Sequence, residues 1–226
     1  MAGSDLRGAI VPVTAFQQNC TLLWDEATKR GVVIDPGGEV DRILAAVDQA
    51  GIAVDRILLT HGHIDHAGGA DALRAALTAR ARQADPAAPG VPVEGPAIQD
   101  KFLLDGLAAQ GAKYGIGEAR AVAPDRWLAE GDTVMVGPHI FQVLHCPGHS
   151  PGHVAFFNQA ARFAHVGDVL FQGSVGRTDF DYCDHAALIS AITTKLLPLG
   201  DDVSFVCGHG PGSTFGTERR SNPFLR

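Results

Sequence analysis

The stretch Thr60-His61-Gly62-His63-Ile64-Asp65-His66 places four potential metal-ligating side chains within a few positions of one another. Imidazole nitrogen suits zinc, iron and related ions, and a carboxylate adds a hard oxygen ligand. His61 and His63 can both turn inward from an extended segment, because side chains along extended backbone alternate with a period of two. Asp65 and His66 follow as the backbone bends and would aim at a neighbouring point. The spacing therefore suggests two metal positions rather than one. A lone histidine is more often structural than a ligand, and the competing reading, a polar loop rich in histidine by chance, weakens with each added donor.

These donors need elements to hold them. Ile57-Leu58-Leu59 predicts a buried strand that delivers the cluster at its exit, where open α/β folds keep their chemistry. Upstream, AIVPVTAF, CTLLWD and GVVIDPG predict two or three antiparallel strands, and Val40, Ile43, Leu44 and Val47 predict a helix that Gly51 ends. Downstream, a helix follows Ala67-Gly68-Gly69, and a second predicted helix over 98–110 carries Phe102, Leu103 and Leu107 on one face. Residues 111–130 are ambiguous, with Trp127-Leu128 expected to pack under the loop. From Asp132 the pattern returns to strands: TVMV, HIFQVLHC, GHVAFFN and RFAHVGDVLF, then a helix over 184–197 and a strand over 203–206. Strands followed by strand–helix units, twice, predict a four-layer α/β sandwich, αββα, with helices outside and two sheets inside.

Composition sets limits. At 226 residues, 46% hydrophobic and 19% charged, the chain is ordinary globular material. A net charge of −7 with no basic stripe argues against nucleic acid or an anionic membrane as partner. No apolar run reaches membrane-spanning length and the start, MAGSDLRGAI, lacks a signal-peptide pattern, so a cytoplasmic protein is expected, monomeric or weakly oligomeric. Cys20, Cys146, Cys183 and Cys207 form no Cys-x-x-Cys pair and are expected to be reduced, buried thiols.

Further donors stand at later strand exits: His145-Cys146-Pro147-Gly148-His149-Ser150-Pro151-Gly152-His153, Gly167-Asp168 and Gly208-His209-Gly210. Motif by motif and in order, these resemble the metallo-β-lactamase superfamily, and within it the glyoxalase II-like thioester hydrolases. GDVLFQGSVGRTDF, KLLPLGDD, GHGPGSTFG and the terminal ERRSNPFL look like the short, single-domain bacterial form. The resemblance implies one domain over 1–226 without the C-terminal helical glutathione-binding domain of the longer enzymes. It also implies a binuclear site: His61, His63 and His149 on one metal, Asp65, His66 and His209 on the other, and Asp168 bridging. The cofactors would be two divalent ions, zinc first, with iron or manganese as alternatives. A hydroxide available at neutral pH would attack the carbonyl, with Asp65 orienting it as well as ligating.

By the same resemblance, the substrate is a 2-hydroxyacyl thioester such as S-lactoylglutathione. Arg177 falls where the family has a glutathione-binding lysine, while Asp179 and Pro211 stand where longer enzymes have tyrosines. An acyl-homoserine lactonase and a glutathione persulfide dioxygenase with a single iron are the alternatives. The other histidines are expected outside the ligand set: His153 as a structural residue, His145 beside a ligand or merely at a strand end, and His139, His165 and His185 solvated or satisfied in the core. Asp35 either hydrogen-bonds into the cluster or forms a turn.

Overall fold

A computed structural model describes residues 5–116 and 119–226. The N-terminal reading over residues 1–4 and part of the ambiguous stretch, residues 117–118, therefore lie outside the described residues. Two sheets face each other. The first has five strands in chain order: β1 (Leu6–Val13), β2 (Gln18–Asp25), β3 (Arg30–Ile34), β4 (Ala53–Leu58) and β5 (Val93–Glu94). The second uses β6 (Thr133–Val136), β7 (His139–His145), β8 (Val154–Asn158), β9 (Phe163–His165), β12 (Ser204–Val206) and β13 (Ser213–Thr214), in the order β13-β12-β9-β8-β7-β6. A small ribbon, β10 (Leu170–Phe171) with β11 (Ser174–Val175), lies between β9 and β12 in sequence.

The alternation of apolar side chains assigns each sheet face to a layer. In the first sheet Leu23, Val32, Ile34 and Leu58 point inward to Phe141, Val143, Val154 and Phe156 of the second. Their immediate neighbours Leu22, Val33 and Ile57 point the other way, onto Ile43, Leu44 and Val47 of α1 (Val40–Ala50) and Leu73 and Leu77 of α3 (Ala70–Ala84). In the second sheet Ala155 and Phe157 face out to Leu188 and Ala191 of α6 (His185–Ala191) and to Phe215, which opens α7 (Phe215–Ser221). Sheets buried on both faces explain why these strands read as continuous apolar runs rather than alternating ones. The layers are αββα, as expected.

The edges of elements depart from the sequence reading. The helix expected over 98–110 is a 3-10 turn (Ile98–Asp100), then α4 (Lys101–Asp105) and α5 (Leu107–Tyr114), broken at Gly106. Phe102 is 47% exposed, whereas Leu103 and Leu107 are buried, so the three do not share one buried face. RFAHVGDVLF is not one strand, because β9 stops at His165 and the chain turns through Gly167 at a φ of 48°. α6 continues through a π-helical turn over Ile192–Leu196 instead of running as one α-helix. Trp127 and Leu128 do pack inward, Trp127 against the helical layer and Leu128 between the sheets.

Candidate metal centre

Strand direction gathers the donors. β3 and β4 run parallel, as do β9 and β12, and β7 shares the direction of β9 because the antiparallel β8 lies between them. The exits of β4, β7, β9 and β12 therefore open at one end of the sandwich, where the two sheets are stitched by Val154 N–H to Thr60 O at 2.8 Å and Asn19 N–H to Gly208 O at 2.7 Å. His63 is extended (φ −71°, ψ 152°) and the single turn α2 (Ile64–Ala67) follows, so the backbone bends between the first and second donor pairs.

Two groups of donors result. His61 Nε2 and His149 Nε2 each lie 3.0 Å from His63 Nδ1, so three ring nitrogens converge on one point. Asp65, His66 and His209 form the second group, with His209 Nε2 3.2 Å from Asp65 Oδ2 and His66 Nε2 3.8 Å from it. Asp168 stands between them: Oδ2 is 3.6 Å from His149 Nε2 and 3.5 Å from His209 Nε2, and Oδ1 is 3.4 Å from His66 Nε2. The structure thus brings His61, His63, Asp65, His66, His149, Asp168 and His209 together.

Whether a metal fits can be read from unspent polar atoms. His66 Nε2 and Asp168 Oδ1 are buried and lack hydrogen-bond partners among the described residues, an arrangement that is costly unless a cation satisfies both. The remote ring nitrogens, by contrast, are engaged. His149 Nδ1 donates to Arg177 O at 2.9 Å, His209 Nδ1 faces Phe16 O at 3.2 Å and His61 Nδ1 faces Thr60 Oγ1 at 3.0 Å. Hydrogen bonds of this kind fix the tautomer that leaves the converging nitrogen free to ligate. Asp35, His61 and His66 also cluster, but Asp35 Oδ2 binds the remote Nδ1 of His66 at 2.9 Å while the same carboxylate accepts from Thr60 N–H and Oγ1–H. Asp35 orients His66 and also makes the turn, at a φ of 55°.

Electrostatics agree with a cation-binding role. Burial pushes the Asp168 carboxyl up, but His66, His149 and His209 outweigh it and hold the group well below the carboxylate range. Burial lowers His63 to about 3, with His149 adding to the effect, so this imidazole is neutral. His66 goes the other way: burial disfavours its charge, yet Asp168 and Asp65 raise it well above an ordinary imidazole. The two carboxylates demand positive charge, which a divalent ion would meet.

The remaining histidines have other partners. His153 is buried and stays outside the converging set; its Nε2 accepts from Asp168 N–H at 3.0 Å and its ring stacks on His61. His145 holds Pro151 O at 2.9 Å, a strand-end role. His139 pairs with Asp25 at 3.0 Å, His185 faces Thr178 at 3.2 Å, and His165 is buried against Thr21 Oγ1 at 3.2 Å. Cys20, Cys146 and Cys207 are buried free thiols; Cys183 corrects the expectation, being only partly buried, with Sγ 3.0 Å from His149 O.

Two residues escaped the sequence reading. Asp100 is buried and accepts from Gly62 N–H at 2.9 Å, Ser150 Oγ–H at 2.7 Å and Gly152 N–H at 2.6 Å, clamping the loop of His61 and His63 to that of His149. Tyr182 Oη lies 2.8 Å from His63 Nε2, completing the set of remote-nitrogen partners. Neither sits in a recognisable motif. The donors floor a cavity of about 850 Å³ walled by Phe102, Phe171, Phe180 and Tyr182. Arg177 reaches it, with its fork held by Asp179 at 2.6 Å on both arms.

Residues 13–209 match the Metallo-beta-lactamase superfamily. Among curated relatives, a hydroxyacylglutathione hydrolase, GloC, from Haemophilus influenzae is 45% identical over 96% of each chain. Among solved structures, the BLEG-1 B3 metallo-beta-lactamase superposes with a TM-score of 0.84 at 32% identity, covering 97% of this chain and 99% of that one. TTHA1623 in a di-iron-bound form does so with a TM-score of 0.78 at 37% identity, over 96% of this chain and 100% of the other.

Proposed function

The chain belongs to the metallo-beta-lactamase superfamily and is a metal-dependent hydrolase, and from that premise we propose that it cleaves a 2-hydroxyacyl thioester such as S-lactoylglutathione at a binuclear centre. The observation that carries this reading is the pair of donor groups joined by Asp168 at the floor of the cavity. His61, His63 and His149 would hold one ion, Asp65, His66 and His209 the other, and Asp168 both. Zinc suits such donors, as do iron and manganese. When bound, divalent ions supply Lewis acidity toward the carbonyl and make hydroxide available at neutral pH.

The chain's own groups do the rest. Asp65, at the cavity floor, accepts a hydrogen of the attacking water at Oδ2 and turns its lone pair toward the carbonyl carbon. Asp35, Thr60, Tyr182 and the Arg177 carbonyl hold the imidazoles in the tautomers that leave their inner nitrogens free. The aromatic walls give the acyl group apolar surface to pack on. Among the described residues the cavity is lined by no glutamate and by no histidine beyond the donors, which favours a thiol of pKa about 8.5 that departs as thiolate.

Purified, metal-loaded protein offered S-lactoylglutathione, an acyl-homoserine lactone, a β-lactam and glutathione persulfide in parallel tests the reading. Thioester cleavage dominating the four supports it. Lactone or β-lactam opening without thioester cleavage, or oxygen uptake with the persulfide, would overturn it.

A further inference from the structure

The cavity above the donors presents two cationic side chains, Arg177 and Lys113, and they are not equivalent. Arg177 Nε and Nη2 both donate to the Asp179 carboxylate at 2.6 Å, which occupies the edge of the guanidinium best shaped for a carboxylate. Its guanidinium also rests 4.4 Å from the centroid of the Phe180 ring. Asp179 therefore occupies that edge of Arg177 and sets a negative group beside it, in a pair whose side chains are both exposed.

Lys113, near the end of α5, carries its charge differently. It forms no ion pair among the described residues, whereas Lys101 on the preceding helix is tied to Asp105 at 2.6 Å. Its ammonium lies 5.0 Å from the centroid of Tyr114, whose ring packs edge-on against Phe16 at 5.8 Å. Both aromatics are about as exposed as each other, at 42% and 43%, and both line the cavity, so this corner offers an apolar wall beside an available cation. A thiol arm with a peptide-like body and a terminal carboxylate matches that pairing: the body packs on the rings and the carboxylate meets the ammonium.

We propose that Lys113, and not Arg177, docks the carboxylate of the substrate's thiol arm, while Asp179 keeps Arg177 from that role. This assignment rests on the thioester reading above and names the residue that selects an acidic thiol. It also reverses the expectation that the family resemblance attached to Arg177.

Calorimetric titration of the metal-loaded protein with S-methylglutathione, a thioether that keeps the carboxylates and cannot be hydrolysed, tests the assignment without turnover. The diethyl ester of the same compound, which lacks those charges, is the comparison ligand. Lys113→Ala is expected to weaken S-methylglutathione roughly tenfold, the scale of one charge-assisted hydrogen bond, while leaving the ratio for the diester near one. Lys113→Arg is expected to restore the difference. Arg177→Ala is expected to change affinity by less than about threefold, as for an exposed, already paired charge, and Asp179→Asn to tighten binding. Wild-type affinity in Lys113→Ala, a larger loss in Arg177→Ala, or no binding by the wild-type protein would overturn the assignment. Hydrolysis of S-lactoylglutathione by the wild-type protein is read separately: its absence overturns the thioesterase reading, and its presence with Lys113-independent binding overturns only the docking role.

Discussion

Replacing Asp100 should separate the two histidine loops that form the first donor group. Its carboxylate accepts from Gly62 N–H, between His61 and His63, and from Ser150 Oγ–H and Gly152 N–H on either side of Pro151 in the loop after His149. Burial raises its pKa above the ordinary carboxylate value, and these hydrogen bonds only partly offset that. Asp100→Ala leaves two backbone amides without an acceptor, at about 1–3 kcal/mol each, while the serine hydroxyl can rotate to another partner. The expected loss is about 2–6 kcal/mol, a large part of the ~5–15 kcal/mol that stabilises a typical domain. Asp100→Asn keeps the volume and one acceptor oxygen, and should lose about 1–3 kcal/mol. Denaturant unfolding of chelator-treated protein measures both. Competition with a chromogenic chelator should show the weaker metal site of Asp100→Ala to be the one formed by His61, His63 and His149. An Asp100→Ala protein with the wild-type denaturant midpoint and wild-type metal affinity would refute the clamp.

Two further outcomes follow from single contacts. Tyr182→Phe removes the oxygen that faces His63 Nε2 while keeping the ring between Phe102 and Phe180, so metal affinity should fall about tenfold with little change in melting temperature; unchanged affinity in a chelator competition would contradict this. Asp25 is held below its ordinary pKa by hydrogen bonds from Thr28, aided by His139. A lowered folded-state pKa contributes stability above the unfolded value of about 3.9 and loses it as pH falls. Asp25→Asn should therefore be less stable than wild type near pH 7, with the difference shrinking below about pH 4 in unfolding titrations; a constant difference would contradict the sign.

The layers were legible because burial on both faces writes itself into the strands. Runs such as Val32-Val33-Ile34 and Phe156-Phe157 send alternate side chains to different clusters, and only a sheet covered on both sides allows that. The first cluster of donors was legible because groups able to ligate a metal are restricted in type, and the family resemblance supplied the rest of the set that the fold brings together. What the sequence hid was supplied from outside the motifs. Asp100 is a carboxylate in the turn before a helix until the fold brings two loops to it, and Tyr182 lies far in sequence from the imidazole it contacts. Phe102 was grouped with Leu103 and Leu107 on one helical face, but it is half-exposed while they are buried. Arg177 lines the cavity, but Asp179, two residues away, holds its fork, a contact that residue type does not disclose.

The central claim, that Asp168 joins two donor groups into one hydrolytic centre, is tested most directly by titrating metal-free protein with zinc and following S-lactoylglutathione cleavage. Activity is expected to saturate at two equivalents per chain. Saturation at one equivalent, or no cleavage at any loading, would contradict it.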